Sequence, residues 1–125
     1  MIPNYGIWDR YEDIDFNSLP KSFALKCTHD SGGVYICKDK NTLDNAECKE
    51  IIQKSLNKNF YFVGREWPYK NVKPRILAEE LLNGRAIDGG LIDYKIYCFN
   101  GEPRLILVCM NRFADTGLQE SFFLI

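Results

Sequence analysis

Asn100-Gly101 lies between two β-prone runs, Asp93-Tyr94-Lys95-Ile96-Tyr97-Cys98-Phe99 and Arg104-Leu105-Ile106-Leu107-Val108-Cys109. No other short signal in the chain restricts the fold as much. A tight two-residue hairpin turn needs positive φ at its central residues, which glycine adopts freely and asparagine more readily than most others. The dipeptide therefore predicts an antiparallel pair. A second hairpin is predicted over 22–27 and 34–38. There the apolar run Phe23-Ala24-Leu25 ends in Lys26, crosses the polar loop Thr28-His29-Asp30-Ser31, and returns through Gly32-Gly33 as Val34-Tyr35-Ile36. The lysine places a fixed positive charge at a strand end, and the glycines let backbone N–H groups approach anionic oxygens. The same residues also suit an ordinary turn.

The chain has 125 residues, enough for one domain with a core. A hydrophobic fraction of 46% with 26% charged residues argues against disorder. The net charge of −1 provides no electrostatic footprint for nucleic acid or anionic membrane. No apolar run approaches the roughly eighteen residues of a membrane span, and from Met1-Ile2-Pro3-Asn4-Tyr5 no secretion signal is expected. The expected compartment is the cytoplasm. Five cysteines without a C-x-x-C pair, and one histidine, argue against a disulfide framework or a zinc site, and four of the five, in or beside apolar runs, read as reduced, core-type thiols.

Residues 1–20 read as an irregular lead-in. Asp44 is an N-cap candidate with Glu47 completing a capping box, and the helix is expected over 45–58. The segment 60–73 is dense in aromatics beside Arg65, Lys70 and Lys73. It suits either a base-stacking surface or a semi-ordered loop whose rings pack on their own domain, and the absence of net positive charge favours packing. A strand is expected from Arg75 to Leu82, then a flexible connection containing Gly84, Gly89 and Gly90. The ending Phe122-Phe123-Leu124-Ile125 needs something further to pack on it, so both ends are expected to be cut from a longer protein.

Several stretches together resemble the ATP-grasp superfamily, and more closely its TupA-like branch, associated with bacterial cell-surface polysaccharide biosynthesis. They are Gly6-Ile7-Trp8-Asp9, Ile14-Asp15-Phe16, Leu19-Pro20, the 23–33 hairpin, Gly64-Arg65-Glu66-Trp67-Pro68-Tyr69-Lys70, 74–82 and 93–103. The resemblance spans about residue 3 to residue 113. It implies an α+β fold, here a partial ATP-grasp fold of antiparallel hairpins with a packed helix, in which two subdomains clamp ATP. Residues 1–19 would lead in from a preceding domain, 20–76 would form the smaller lid, and 77–125 the hinge and first strands of the larger subdomain.

By that resemblance Lys26 reaches the nucleotide phosphates, and the loop of Asp30, Ser31, Gly32 and Gly33 covers them. His29 is either a surface residue or a phosphate contact. Glu79, Glu80, Leu81 and Leu82 match the hinge that reads adenine. Adjacent strand residues face opposite ways, so at most one of the two glutamates faces the nucleotide. Asp93 is expected near the ribose and Lys95 near the phosphates, the alternative being a surface hairpin edge. Arg75 and Arg104 are lesser candidates for phosphate or acidic substrate, and Asn111-Arg112 for the substrate side. No catalytic residue is assigned. The Mg2+ that accompanies ATP in the superfamily is held by carboxylates and an asparagine expected beyond position 125, so no metal ligand is assigned. The implied activity of the full-length relative is ATP-dependent ligation of a carboxylate to an amine on a polysaccharide or its precursor. An ATP-grasp kinase and a non-catalytic nucleotide-binding remnant are the alternatives.

Overall fold

The computed structural model describes residues 2–82, 91–111 and 117–125. The chain forms two compact units, one running to Leu81 and one from Leu82. Together they make an α+β structure of two antiparallel sheets with few helices.

The first sheet is built on β2 (Phe23–Cys27), whose alternation decides which face is buried. Phe23, Leu25 and Cys27 point to one side and are almost wholly buried. The glycine-containing loop returns the chain as β3 (Val34–Cys37), with Leu25 opposite Tyr35 and Lys26 opposite Val34. β4 (Ile76–Glu80) pairs along the other edge of β2, and β1 (Asn4–Trp8) closes the order β1-β4-β2-β3. The irregular lead-in expected for 1–20 therefore fails at β1. Its partner is β4, about seventy positions away, and no local pattern announces such a pairing. The Glu80 N–H donating to Pro3 O at 3.0 Å extends it.

Helix α1 (Asn45–Leu56) covers the buried face with Cys48 and Ile52, both fully buried. The Asp44 carboxylate accepts from the N–H groups of Ala46 and Glu47, each at 3.0 Å, as the N-cap expectation requires. The helix ends two residues before the expected Lys58, where Asn57 N–H donates back to Gln53 O. Tyr11, Ile14 and Leu19 complete the core with Ile76 and Ala78.

Segment 60–73 contains a five-residue helix α2 (Phe60–Gly64) and a 3-10 turn over Trp67–Tyr69. Its rings meet one another, Phe60 against Tyr69 at 4.9 Å and Tyr61 against Trp67 at 6.3 Å. Phe62 and Trp67 stay 63% and 68% exposed, so the segment packs largely on itself instead of entering the core.

In the second unit β5 (Asp93–Phe99) and β6 (Glu102–Met110) flank the predicted turn, with Asn100 at φ 52° and Gly101 at φ 83°. β7 (Gln119–Leu124) adds to β6, placing Leu107 opposite Phe122 and Cys109 opposite Glu120. The terminal apolar run is thus a strand, although Phe122, Phe123 and Leu124 remain mostly exposed. The connection with Gly84, Gly89 and Gly90, and Arg112, lie outside the described residues. No helix among the described residues is long and apolar enough to cross a membrane.

Candidate functional site

With one face of the first sheet buried under α1, the odd-even alternation puts Ala24 and Lys26 of β2 on the other. Beside them lie Val34 and Ile36 of β3, Leu77 and Glu79 of β4, and Ile7 of β1. Val34, Ile36 and Ile7 are 42%, 49% and 49% exposed, so this face is open and mainly aliphatic. Its two charges meet: Lys26 Nζ donates to Glu79 Oε1 at 2.6 Å, with the glutamate side chain 17% exposed and the lysine 37%. Lys26 stands opposite Leu77 and Glu79 opposite Ala24, which makes the two charged residues diagonal neighbours across one strand pair. Glu80 points to the opposite face and is exposed, while Leu81 and Leu82 follow the strand end, half-buried and exposed respectively. The structure thus separates the two glutamates as alternation demands.

The loop after Lys26 is held from beneath. Thr28 Oγ1 donates to Lys73 O at 2.8 Å and accepts from Arg75 N–H at 3.1 Å, tying the loop to the start of β4. His29 is 4% exposed, and its Nε2 donates to Lys58 O at 2.9 Å. It is neither a surface residue nor turned toward the open loop tip. The Asp30 side chain is also turned inward, its Oδ2 accepting from Ser55 Oγ at 2.7 Å. Ser31 and Gly32 form the exposed tip. Gly33 sits against Ser55, where a Cβ would lie 2.4 Å from the hydroxyl oxygen.

On the second sheet Asp93 and Lys95 share a face, and Lys95 Nζ donates to Asp93 Oδ2. Asp93, Cys109 and Glu120 are opposite one another across β5, β6 and β7, with Cys109 Sγ 3.8 Å from both Lys95 Nζ and Glu120 Oε1. Arg75 is engaged by Asp9 at 3.2 Å, beside Lys73 at 2.9 Å. These cations, the Lys73 hydrogen bond first, hold the Asp9 carboxyl below its usual range. Arg104 pairs with Glu102.

Sequence reasoning missed Ser55 in the last turn of α1 and Lys58 just beyond it, which grip the loop, as well as Ile7 on the open face and Glu120 beside Cys109. Nothing in their local sequence marks them, because each acquires its role from a strand or helix distant in the chain. Among the described residues no three His, Cys, Asp or Glu side chains converge as a metal-ligand set.

A family model described as TupA-like ATPgrasp matches residues 1–123. No curated protein and no solved structure matches the chain.

Proposed function

Because the chain belongs to the TupA-like ATP-grasp family, we propose that it is the ATP-binding part of a ligase that activates a carboxylate as an acyl phosphate and joins it to an amine, in cell-surface polysaccharide biosynthesis in the cytoplasm. The observation that carries this reading is the Lys26–Glu79 pair, set among aliphatic side chains on the one face of the first sheet that α1 leaves open. Such a surface suits a nucleotide. Aliphatic groups pack on a purine, a carboxylate accepts from its exocyclic amine, and an ammonium attracts phosphate.

Lys26 is assigned to the phosphates in this reading. The loop tip at Ser31-Gly32 adds backbone N–H groups, which no hydrogen bond among the described residues occupies. Glu79 and the Glu80–Leu82 strand end serve adenine. Asp93 is assigned to the ribose and Lys95 to the phosphates. The inward-turned side chains of His29 and Asp30 hold the loop in place, leaving the Ser31 hydroxyl and the backbone groups of the tip for the ligand.

The chemistry of the full reaction is attack of a carboxylate oxygen on the γ-phosphorus with ADP leaving, then attack of an amine on the acyl phosphate with phosphate leaving. Magnesium would neutralise phosphate charge in that reaction. The described residues form no ligand set for it.

Calorimetric titration of MgATP into the chain tests the reading. Saturable binding that is weakened in Lys95→Ala, with folding retained, is the expected result. Absence of binding by a folded parent chain would refute it. If turnover is found, trapping of an acyl phosphate by hydroxylamine distinguishes a ligase from a kinase.

A further inference from the structure

We infer that Ser55, which neither motif nor family likeness singles out, is a positioning residue that sets the phosphate-loop conformation and, through it, affinity for the nucleotide's phosphate end. The inference rests on the ATP reading above.

Ser55 lies in the last turn of α1 and is 1% exposed. Its hydroxyl donates to Asp30 Oδ2 at 2.7 Å, and the Asp30 side chain is itself 1% exposed. Lys58 Nζ stands 3.7 Å from the same carboxylate oxygen, and Lys58 O accepts from His29 at 2.9 Å. On the far side of the tip, a Cβ on Gly33 would fall 2.4 Å from Ser55 Oγ and 2.6 Å from Asp30 Oδ2, so only glycine allows the loop to close down on the helix. The loop is therefore bonded through Asp30 before Ser31-Gly32 and packed closely through Gly33 after it, both against the Ser55 hydroxyl. Around Gly32 the space is open, with nothing within 4 Å of where a Cβ would stand. The tip's position is decided underneath it, at Ser55.

Thr28, tied to Lys73 and Arg75, and His29, tied to Lys58, anchor the start of the loop, while Ser55 holds the part next to the tip. His29 Nδ1 and Asp30 Oδ1 are buried without a hydrogen-bond partner among the described residues. Unsatisfied buried polar atoms raise the free energy of the conformation that buries them. Removing the Ser55 hydroxyl would leave Asp30 Oδ2 without its short hydrogen bond, with only the Lys58 ammonium 3.7 Å away, itself 44% exposed, to hold it. The carboxylate would then gain by turning toward water, carrying the loop tip off the helix. The aliphatic face around Glu79 lies on the sheet and does not depend on that hydroxyl.

The experiment is calorimetric titration of MgATP, and of adenosine, into the full chain, Ser55→Ala and Ile52→Val. Ile52→Val loosens the same helix without touching the loop's hydrogen bonds. Ser55→Ala is expected to weaken MgATP about tenfold by lowering the fraction of loop in the binding conformation, with adenosine changed less than about twofold. Ile52→Val should bind both ligands as the parent does. Equal MgATP affinity in parent and Ser55→Ala overturns the inference, as does an equal loss for the two ligands. A folded parent that binds no MgATP overturns the ATP reading and this inference with it. If Ser55→Ala does not fold, Ser55→Cys keeps the volume with a poor donor and reads the same selective loss.

Discussion

Lys26→Met is the most informative single change, because one substitution separates a structural lysine from a ligand-binding one. Methionine keeps an unbranched stem beside Val34 and Leu77 and removes only the charge. Glu79, with a side chain 17% exposed, is then left without the ammonium 2.6 Å away. A hydrogen bond to a charged group contributes about 1.5–3 kcal/mol, whereas exposed ion pairs contribute about 0–1 kcal/mol. The lysine is 37% exposed, so solvent screening places this pair between those limits, at about 1–2 kcal/mol. For a unit of this size each kcal/mol lowers the melting temperature by about 4–8 °C. The double variant Lys26→Met/Glu79→Gln should be less destabilised than the sum of the two single variants by about 1 kcal/mol, since neutralising the glutamate relieves the charge left behind.

Binding gives the second reading of the same variant. Loss of one charge-assisted phosphate contact corresponds to about tenfold or more in the MgATP dissociation constant. Denaturant unfolding measures the first effect and calorimetric titration the second. If stability falls as expected while MgATP binds as tightly as to the parent, the lysine serves the sheet alone and the open face is not the nucleotide surface. If neither quantity moves, the ion pair contributes nothing and the reasoning from its burial is wrong.

Burial holds the thiols of Cys27, Cys37 and Cys48 and the Tyr11 hydroxyl above their ordinary values. Above the ordinary thiol value of 9.0 the unfolded chain loses protons that the native chain keeps, so stability is fully present below that pH and falls as pH rises through it. Urea midpoints at about pH 7.5 and pH 10 check the sign, and an unchanged midpoint would refute it. Asp44→Ala removes the acceptor for two helix N–H groups and should cost about 1 kcal/mol, read as a lower urea midpoint with an unchanged slope.

The elements legible in the chain were those whose cause is local. Asn100-Gly101 carries its own turn preference, Asp44 caps the helix that starts beside it, and alternation along 23–27 sorts Phe23 and Leu25 from Lys26 without reference to any partner. The same alternation separated Glu79 from Glu80. Cysteine count and spacing were enough to read reduced thiols, and all five are free.

What only tertiary structure decided depends on partners far away in sequence. β1 has too short and mixed a pattern to stand alone and becomes a strand because β4 offers it an edge. Terminal Phe122-Phe123-Leu124 likewise becomes ordered through β6. Lys26 meets Glu79 across a separation of 53 positions, and Ser55 meets Asp30 across 25. His29 is the plainest case. A histidine in a polar glycine-rich loop has every local reason to be exposed, yet Lys58, two residues past the end of α1, supplies a carbonyl for its Nε2, and the ring is buried. Local preference acts through the φ, ψ and hydrogen bonds of a few neighbouring residues, so sequence alone settles turns, caps and strand faces. Pairing of distant groups depends on how the chain closes on itself, and that is known only once the sheet order and the helix above it are known.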